Sequence, residues 1–104
     1  MRRGEVWWAM LPKPAGRRPV VLLSRDEAYQ VRELVTVAPV TTRLRDIPVE
    51  VRLGPGDGLT RECAANLDTI TTIPKSLLTE RVTALSPEKL EAVNDAIAFA
   101  LGLG

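Results

Sequence analysis

Short apolar stretches, separated by proline and glycine, fill the first 85 positions of the chain. Residues 48–53 and 80–85 alternate apolar and polar side chains with a period of two, which is typical of a strand with one buried face. The segments "PKPAG" and "GPGDG" contain residues that interrupt strands and form turns. Pro39 indicates a bulge or a sheet edge near the end of its strand. We predict β-strands over residues 5–11, 19–24, 34–42, 48–53, 63–73 (one or two strands) and 80–85, and single helical turns within 25–33 and 74–78.

The end of the chain carries a helical pattern. Ser86 followed by Pro87 is typical of a helix start, and Gly102 is typical of a helix end. Apolar residues recur between them at spacings of three and four, at Leu90, Val93, Ile97, Ala100 and Leu101. Short strands followed by one amphipathic helix predict a single mainly β (α+β) domain over residues 1–104, with the helix covering a small curled sheet or barrel.

The composition fits one domain and favours one class of partner. The chain has 104 residues, of which 45% are hydrophobic, enough for one core. Its net charge is +1, but residues 1–61 hold eleven Lys/Arg against seven Asp/Glu, and residues 62–104 hold three against six. Eleven of the fourteen basic residues are arginine, whose planar group suits phosphate. The basic N-terminal part therefore favours nucleic acid.

Missing residue types narrow the chemistry. The chain has no histidine, the commonest general base and metal ligand, so we expect neither histidine catalysis nor a metal site. Its single cysteine, Cys63, cannot form an intramolecular disulfide and indicates a reducing compartment. No apolar run approaches the roughly 20 residues that span a bilayer, so we expect a cytoplasmic protein with no membrane partner.

Four stretches, taken in chain order, resemble the MazF/PemK family of toxin endoribonucleases: "RRGEVWWAMLP", "GRRPVVLLS", "VAPVTTR", and "NLDTI" followed by "RVTALSPEKLEAVNDAIAFALGL". The resemblance covers nearly the entire chain. It implies an SH3-like barrel of the CcdB/PemK type with a packed C-terminal helix, working as a homodimer. It also implies cofactor-free, metal-independent cleavage of single-stranded mRNA, rRNA or tRNA at specific sequences, leaving a 2′,3′-cyclic phosphate and a 5′-hydroxyl. The partner would be a MazE-like antitoxin whose acidic disordered tail occupies the RNA groove and whose complex binds DNA.

The same resemblance implies the catalytic residues. In the family, the arginine of an Arg-Pro motif and the first threonine of a Thr-Thr pair form the active site, and these are Arg18 and Thr41 here. Attack of the RNA 2′-oxygen on the adjacent phosphate builds negative charge that a guanidinium can stabilise and a hydroxyl can hydrogen-bond. A guanidinium does not give up its proton in proteins. We therefore assign Arg18 charge stabilisation and leave the proton acceptor open.

Five further residues are candidates for binding RNA: Arg17, Thr42, Arg43, Arg45 and Asn66. Each has an alternative role, because the arginines can be solvated surface charges, the threonine a strand former and the asparagine a buried structural amide. Trp7 and Trp8 point to opposite faces of their strand. We expect one of them in the core and the other exposed enough to stack on a base or lie in a dimer interface.

Some positions depart from the family pattern. The loop "PKPAG" is shorter than the usual version and lacks a glutamate that contributes to activity in some members. An Asp-Gln motif of the fifth strand is replaced by Ala65-Asn66, and Asp68 stands where a basic residue is typical. The preferred RNA sequence therefore cannot be copied from relatives.

Two other functions stay open. The CcdB family shares the barrel and poisons DNA gyrase through a C-terminal Trp-Gly-Ile, whereas this sequence has no tryptophan after Trp8. A barrel that only binds RNA or protein is the other alternative. The retained pair of Arg18 and Thr41 is the feature against it.

Overall fold

A computed structural model describes residues 1–104. The chain forms seven β-strands and two α-helices, joined by turns and short 3-10 segments. The strands are β1 (Glu5–Met10), β2 (Arg17–Leu22), β3 (Leu34–Thr41), β4 (Glu50–Leu53), β5 (Cys63–Asn66), β6 (Thr71–Pro74) and β7 (Leu78–Ala84), and the helices are α1 (Ala28–Val31) and α2 (Pro87–Ala100). The predicted mainly β fold with a C-terminal helix is confirmed. A 3-10 turn at Leu67–Thr69 divides the predicted segment 63–73 into two strands.

β3 is the central strand of an antiparallel sheet with the order β4-β5-β3-β2-β1-β7. One edge of β3 pairs with β2, while the other edge pairs with β6 along its first half and with β5 at its end. Pro39 lies where the pairing of that second edge changes from β6 to β5. Its missing N–H therefore falls between two ladders, and this gap takes the place of the bulge or sheet edge that the sequence indicated.

The second half of β2 is buried on both faces, which explains its continuous run of apolar residues. Val21 belongs to a core cluster that includes Val93 of α2. Val20 and Leu22 belong to a second cluster on the opposite face, with Tyr29 of α1. The apolar half of β2 is therefore clamped from both sides, and this fixes the position of the charged half that precedes it.

Helix α2 begins as predicted, with the Ser86 hydroxyl accepting a hydrogen bond from the Lys89 N–H at 3.2 Å. Val93 and Ala96 are buried against the sheet. Leu101 was expected in the apolar stripe, but it is 60% exposed because the helix ends at Ala100 and the chain turns away. Neither helix has the length and apolar composition needed to span a bilayer.

Candidate functional site

Arg18 and Thr41 flank the point where β2 and β3 separate. The ladder between these strands ends at the pair Val20 and Pro39, although both strands continue, so Arg18 and Thr41 each lie two residues beyond that pair. Because side chains alternate along a strand, both residues share the face of Val20 and Pro39. They line the same two cavities.

These two cavities bring together all seven residues that the sequence and its resemblance nominated. The first, the tryptophan cavity, has a volume of about 300 Å³ and is lined by Trp8, Arg17, Arg18, Pro19, Val40, Thr41, Thr42, Thr60 and Arg61. The second, the asparagine cavity, has a volume of about 330 Å³ and is lined by Arg18, Pro39, Thr41, Arg43, Arg45, Asn66 and Thr69. No aspartate or glutamate lines either one. The combined surface is basic and suits an anion.

The Arg18 guanidinium has no partner within the protein. It forms none of the ion pairs, and its Nε is a buried nitrogen without a hydrogen bond. Most buried polar groups are paired, because an unpaired one costs about 1–3 kcal/mol. Arg18 therefore lines both cavities with no partner for its guanidinium in the free protein.

Thr41 is held in one orientation by its own loop. The Arg43 backbone N–H donates to the Thr41 Oγ1 at 3.1 Å. A threonine hydroxyl carries one proton and two acceptor lone pairs. This contact uses one lone pair and leaves the hydroxyl proton available for a ligand oxygen.

The two tryptophans have different surroundings. Trp7 packs against the second core cluster, and its indole N–H donates to the Glu5 Oε1 at 3.0 Å. Trp8 lies in the tryptophan cavity, where the Arg17 guanidinium carbon is 3.9 Å from the centroid of the indole ring. Trp7 is therefore the core residue, and Trp8 is the one placed at the candidate site.

A family model described as PemK-like, MazF-like toxin of type II toxin-antitoxin system matches residues 2–101, nearly the whole chain. The chain belongs to this family. The membership inferred from the four sequence stretches is thereby confirmed.

Named relatives agree with this membership. The chain is 40% identical over 100 residues to the probable endoribonuclease MazF5 of Mycobacterium tuberculosis, which covers 95% of this chain and 91% of that protein. It is 35% identical over 111 residues to the endoribonuclease MazF of Staphylococcus saprophyticus, with 99% and 92% covered. The Mycobacterium tuberculosis toxin MazF-mt6 has the same fold, with a TM-score of 0.89, 30% identity and coverage of 96% of this chain and 98% of that chain. A mycobacterial endoribonuclease solved in complex with its cognate antitoxin gives a TM-score of 0.86 at 31% identity, covering 100% and 97%.

The two loop arginines of this PemK/MazF toxin differ in their partners. Arg45 binds the Glu50 carboxylate through its Nε at 2.9 Å and through its backbone N–H at 3.0 Å. Burial disfavours the ionised form of Glu50, but the hydrogen bonds and charge of Arg45 outweigh it and lower the Glu50 pKa. Arg43 forms no ion pair. Of the two, Arg43 has the uncompensated charge that a phosphate requires.

Asn66 is engaged within its own turn. Its Oδ1 accepts from the Asp68 N–H at 3.0 Å, and its Nδ2 donates to the Thr69 Oγ1 at 2.9 Å. One amide proton of Asn66 stays unused, so the residue combines a structural role with a place in the asparagine cavity. Asp68 lines neither cavity.

Three cavity residues were missed by the sequence reasoning: Thr60, Arg61 and Thr69. Arg61 and Thr60 lie between the "GPGDG" turn and β5, and only the folding of that loop toward β3 brings them to the site. An arginine next to a predicted strand was the one signal available. It is too common on protein surfaces to identify a site.

No proton acceptor stands out among these residues. The Glu50 carboxylate is paired with Arg45, and the Glu5 carboxylate binds Trp7 and Arg81. No group of three or more His, Cys, Asp or Glu side chains lies close enough together to hold a metal ion. The site therefore offers arginine guanidinium groups and hydroxyl donors.

Proposed function

We propose that this protein is a toxin endoribonuclease that cleaves single-stranded RNA by attack of the 2′-oxygen on the adjacent phosphate. The products would be a 2′,3′-cyclic phosphate and a 5′-hydroxyl. What supports this most is one observation: the unpaired Arg18 guanidinium and the available Thr41 hydroxyl line the same two cavities, whose walls contain no carboxylate. Cleavage of mRNA, rRNA or tRNA would inhibit translation and thereby arrest growth.

The two residues would act on the phosphate as it gains charge. When the 2′-oxygen bonds to phosphorus, the non-bridging oxygens carry additional negative charge, and Arg18 stabilises it with two parallel N–H donors. Thr41 donates its hydroxyl proton to one of these oxygens. The cavities supply no carboxylate or imidazole, so water and the phosphate's own oxygens are the acceptors left for the 2′-hydroxyl proton. No metal ion or cofactor enters this scheme.

The proposal extends to partners. A mycobacterial relative was solved as an endoribonuclease in complex with its cognate antitoxin. We propose that this chain works as a homodimer and is neutralised by a MazE-like antitoxin whose acidic disordered tail competes with RNA for the arginine-lined cavities. The complex would then bind DNA through the antitoxin. We also place the protein in the cytoplasm, where its RNA substrates are.

The decisive experiment incubates the purified protein with a long single-stranded RNA in excess EDTA and maps the new 5′ ends and their chemistry. Arg18→Ala and Thr41→Val are the test variants. Arg32→Ala is the matched control, because Arg32 is an exposed arginine that lines neither cavity. We expect wild type and Arg32→Ala to cut at the same positions and the two test variants to lose at least about 100-fold in rate.

Four results would contradict the proposal. Fragments with 5′-phosphates would exclude intramolecular attack, and loss of activity in EDTA would indicate metal catalysis. Equal cleavage by Arg18→Ala would remove this arginine from the active site. If the wild type cut none of many RNAs but still bound them, the chain would be a non-catalytic binding module.

A further inference from the structure

Trp8 is a large aromatic residue that neither core cluster includes. Both clusters are complete without it, whereas its neighbour Trp7 packs against one of them. Trp8 is only partly buried, and no hydrogen bond involves its indole N–H, in contrast to that of Trp7. Packing within the two core clusters therefore does not account for an indole at this position.

The Arg17 side chain forms no hydrogen bond or ion pair, but it contacts the ring of Trp8. β1 and β2 pair Trp8 with Pro19 and Met10 with Arg17, so Arg17 lies diagonally across from Trp8 on the same face of the sheet. Its guanidinium carbon is 3.9 Å from the indole centroid, and it forms no ion pair. An exposed arginine without such support samples many rotamers. The cation–π attraction of the ring favours the position that the guanidinium has here.

The space beside this pair has the size and lining of a small binding pocket. The tryptophan cavity of about 300 Å³ is at the small end of the range for ligand sites. Its remaining wall includes Thr60 and Arg61, neither of which forms a side-chain hydrogen bond or ion pair in the protein. Arg18 and Thr41 also line it, so whatever occupies it is adjacent to the proposed scissile phosphate.

Single-stranded RNA is recognised largely by stacking its bases on aromatic rings and arginine planes. We propose that Trp8 and Arg17 form a stacking platform for the nucleobase next to the scissile phosphate, with the base lying on the guanidinium plane and the indole beneath it. This inference rests on the proposed function. It assigns Arg17 to a base, whereas a phosphate contact or a plain surface charge were the alternatives for it. The platform selects position along the RNA and contributes to sequence preference without touching the reacting atoms.

The substitution Arg17→Lys separates stacking from charge, because lysine keeps the positive charge but lacks the planar guanidinium. The assay measures binding of an RNA oligonucleotide with 2′-O-methyl groups, which cannot be cleaved, by fluorescence anisotropy. A series of the same oligonucleotide carries one abasic site at each position in turn. The proteins are wild type, Arg17→Lys, Arg17→Ala and Trp8→Leu, with Arg32→Lys as the control. A Trp7→Phe background leaves Trp8 as the one tryptophan, since the chain has two.

We expect Arg17→Lys and Trp8→Leu to weaken binding of the intact RNA about ten-fold. An abasic site at one position should weaken RNA binding by the wild type by a similar factor. The same abasic site should cause no further loss of binding affinity in Arg17→Lys. Binding should quench the Trp8 fluorescence, and an abasic site at that position should abolish the quenching. Arg32→Lys should match wild type.

The proposal is overturned if Arg17→Lys binds like wild type while Arg17→Ala weakens intact and abasic RNA equally, since that pattern is a phosphate contact. It is also overturned if every abasic site weakens RNA binding by Arg17→Lys as much as it weakens binding by the wild type. Binding needs no turnover, so the two proposals fail separately. Absence of cleavage by the wild type overturns the proposed function. The stacking platform is tested separately, by whether the effects of Arg17→Lys and of one abasic site on RNA binding are non-additive.

Discussion

Replacing Arg18 with methionine should stabilise the free protein while abolishing its cleavage of RNA. Arg18 contributes two opposite terms to stability. Arg18 lines an apolar groove that also contains Val20 and Val37, where the aliphatic stem of an arginine can cover apolar surface and methionine can do the same. Its buried Nε has no partner, and methionine removes that unpaired donor. Alanine would be the wrong substitution for this stability measurement, because it removes the aliphatic part of the side chain together with the charge.

The magnitude follows from the burial of the group. A buried unpaired donor costs about 1–3 kcal/mol, and the lower end applies because Arg18 as a whole is only partly buried. We expect Arg18→Met to raise the free energy of unfolding by about 1 kcal/mol, and the midpoint of thermal unfolding by about 4–8 °C for a domain of this size. Urea unfolding, followed by circular dichroism, measures the free energy of unfolding of wild type, of Arg18→Met and of the contrasting control Arg45→Met. Arg45→Met leaves the Glu50 carboxylate, 1% exposed, without its cation and should destabilise by about 2 kcal/mol.

The same purified Arg18→Met protein is then assayed for cleavage. The expected loss is about 100- to 1,000-fold, the usual effect of removing a donor that stabilises charge in the transition state. An uncleavable RNA should raise the unfolding midpoint of wild type more than that of Arg18→Met. A lower free energy of unfolding for Arg18→Met than for wild type would contradict this prediction, because the guanidinium must then make favourable contacts in the free protein.

Further predictions concern three other residues. Thr41→Ser keeps the hydroxyl and should stay within a few-fold of wild type in single-turnover cleavage, so a loss as large as that of Thr41→Val would show that the methyl group matters instead. Arg61→Ala should reduce the slope of log binding constant against log salt by about 0.7, as expected for one contact to single-stranded phosphate, whereas an unchanged slope would remove Arg61 from the RNA surface. Pairing lowers the pKa of Glu50 in the folded state, so its stabilisation is complete above the ordinary value of 4.5 and is lost as the pH falls below it. The stability gap between wild type and Glu50→Gln should therefore narrow from pH 7 to acid pH in urea titrations, and a constant gap would contradict that assignment.

Local patterns were sufficient for most of the fold. The helix start at Ser86 and Pro87 depends on capping within one turn, and it is present as predicted. The period-two pattern of residues 48–53 predicted β4, which pairs with β5 as an edge strand. The exposed Leu101 could not be predicted, because the apolar spacing continued one residue past Ala100, where the helix ends.

The candidate site was predicted only in part, because its walls come from distant parts of the chain. Arg18 and Thr41 were named through family motifs. Thr60 and Arg61 join them through the folding of a loop that carries no motif, and their contribution depends on three-dimensional placement alone. The pairing of Arg45 with Glu50, five residues away, was also absent from the sequence reasoning, although it changes which loop arginine has charge to spare.

The assignment of different roles to two adjacent arginines depends on strand register. A strand with one buried face specifies its register, since a shift of one residue would expose its apolar side. β2 is buried on both faces, with Val20 and Val21 both at 0% exposure, so its apolar run does not by itself distinguish one register from the next. The pairing of Val20 with Pro39 sets the register of β2 against β3 and places Arg18 on the same face of the sheet as Thr41. A shift of one residue would exchange the two arginines, bringing Arg17 toward Thr41 and Arg18 over Trp8.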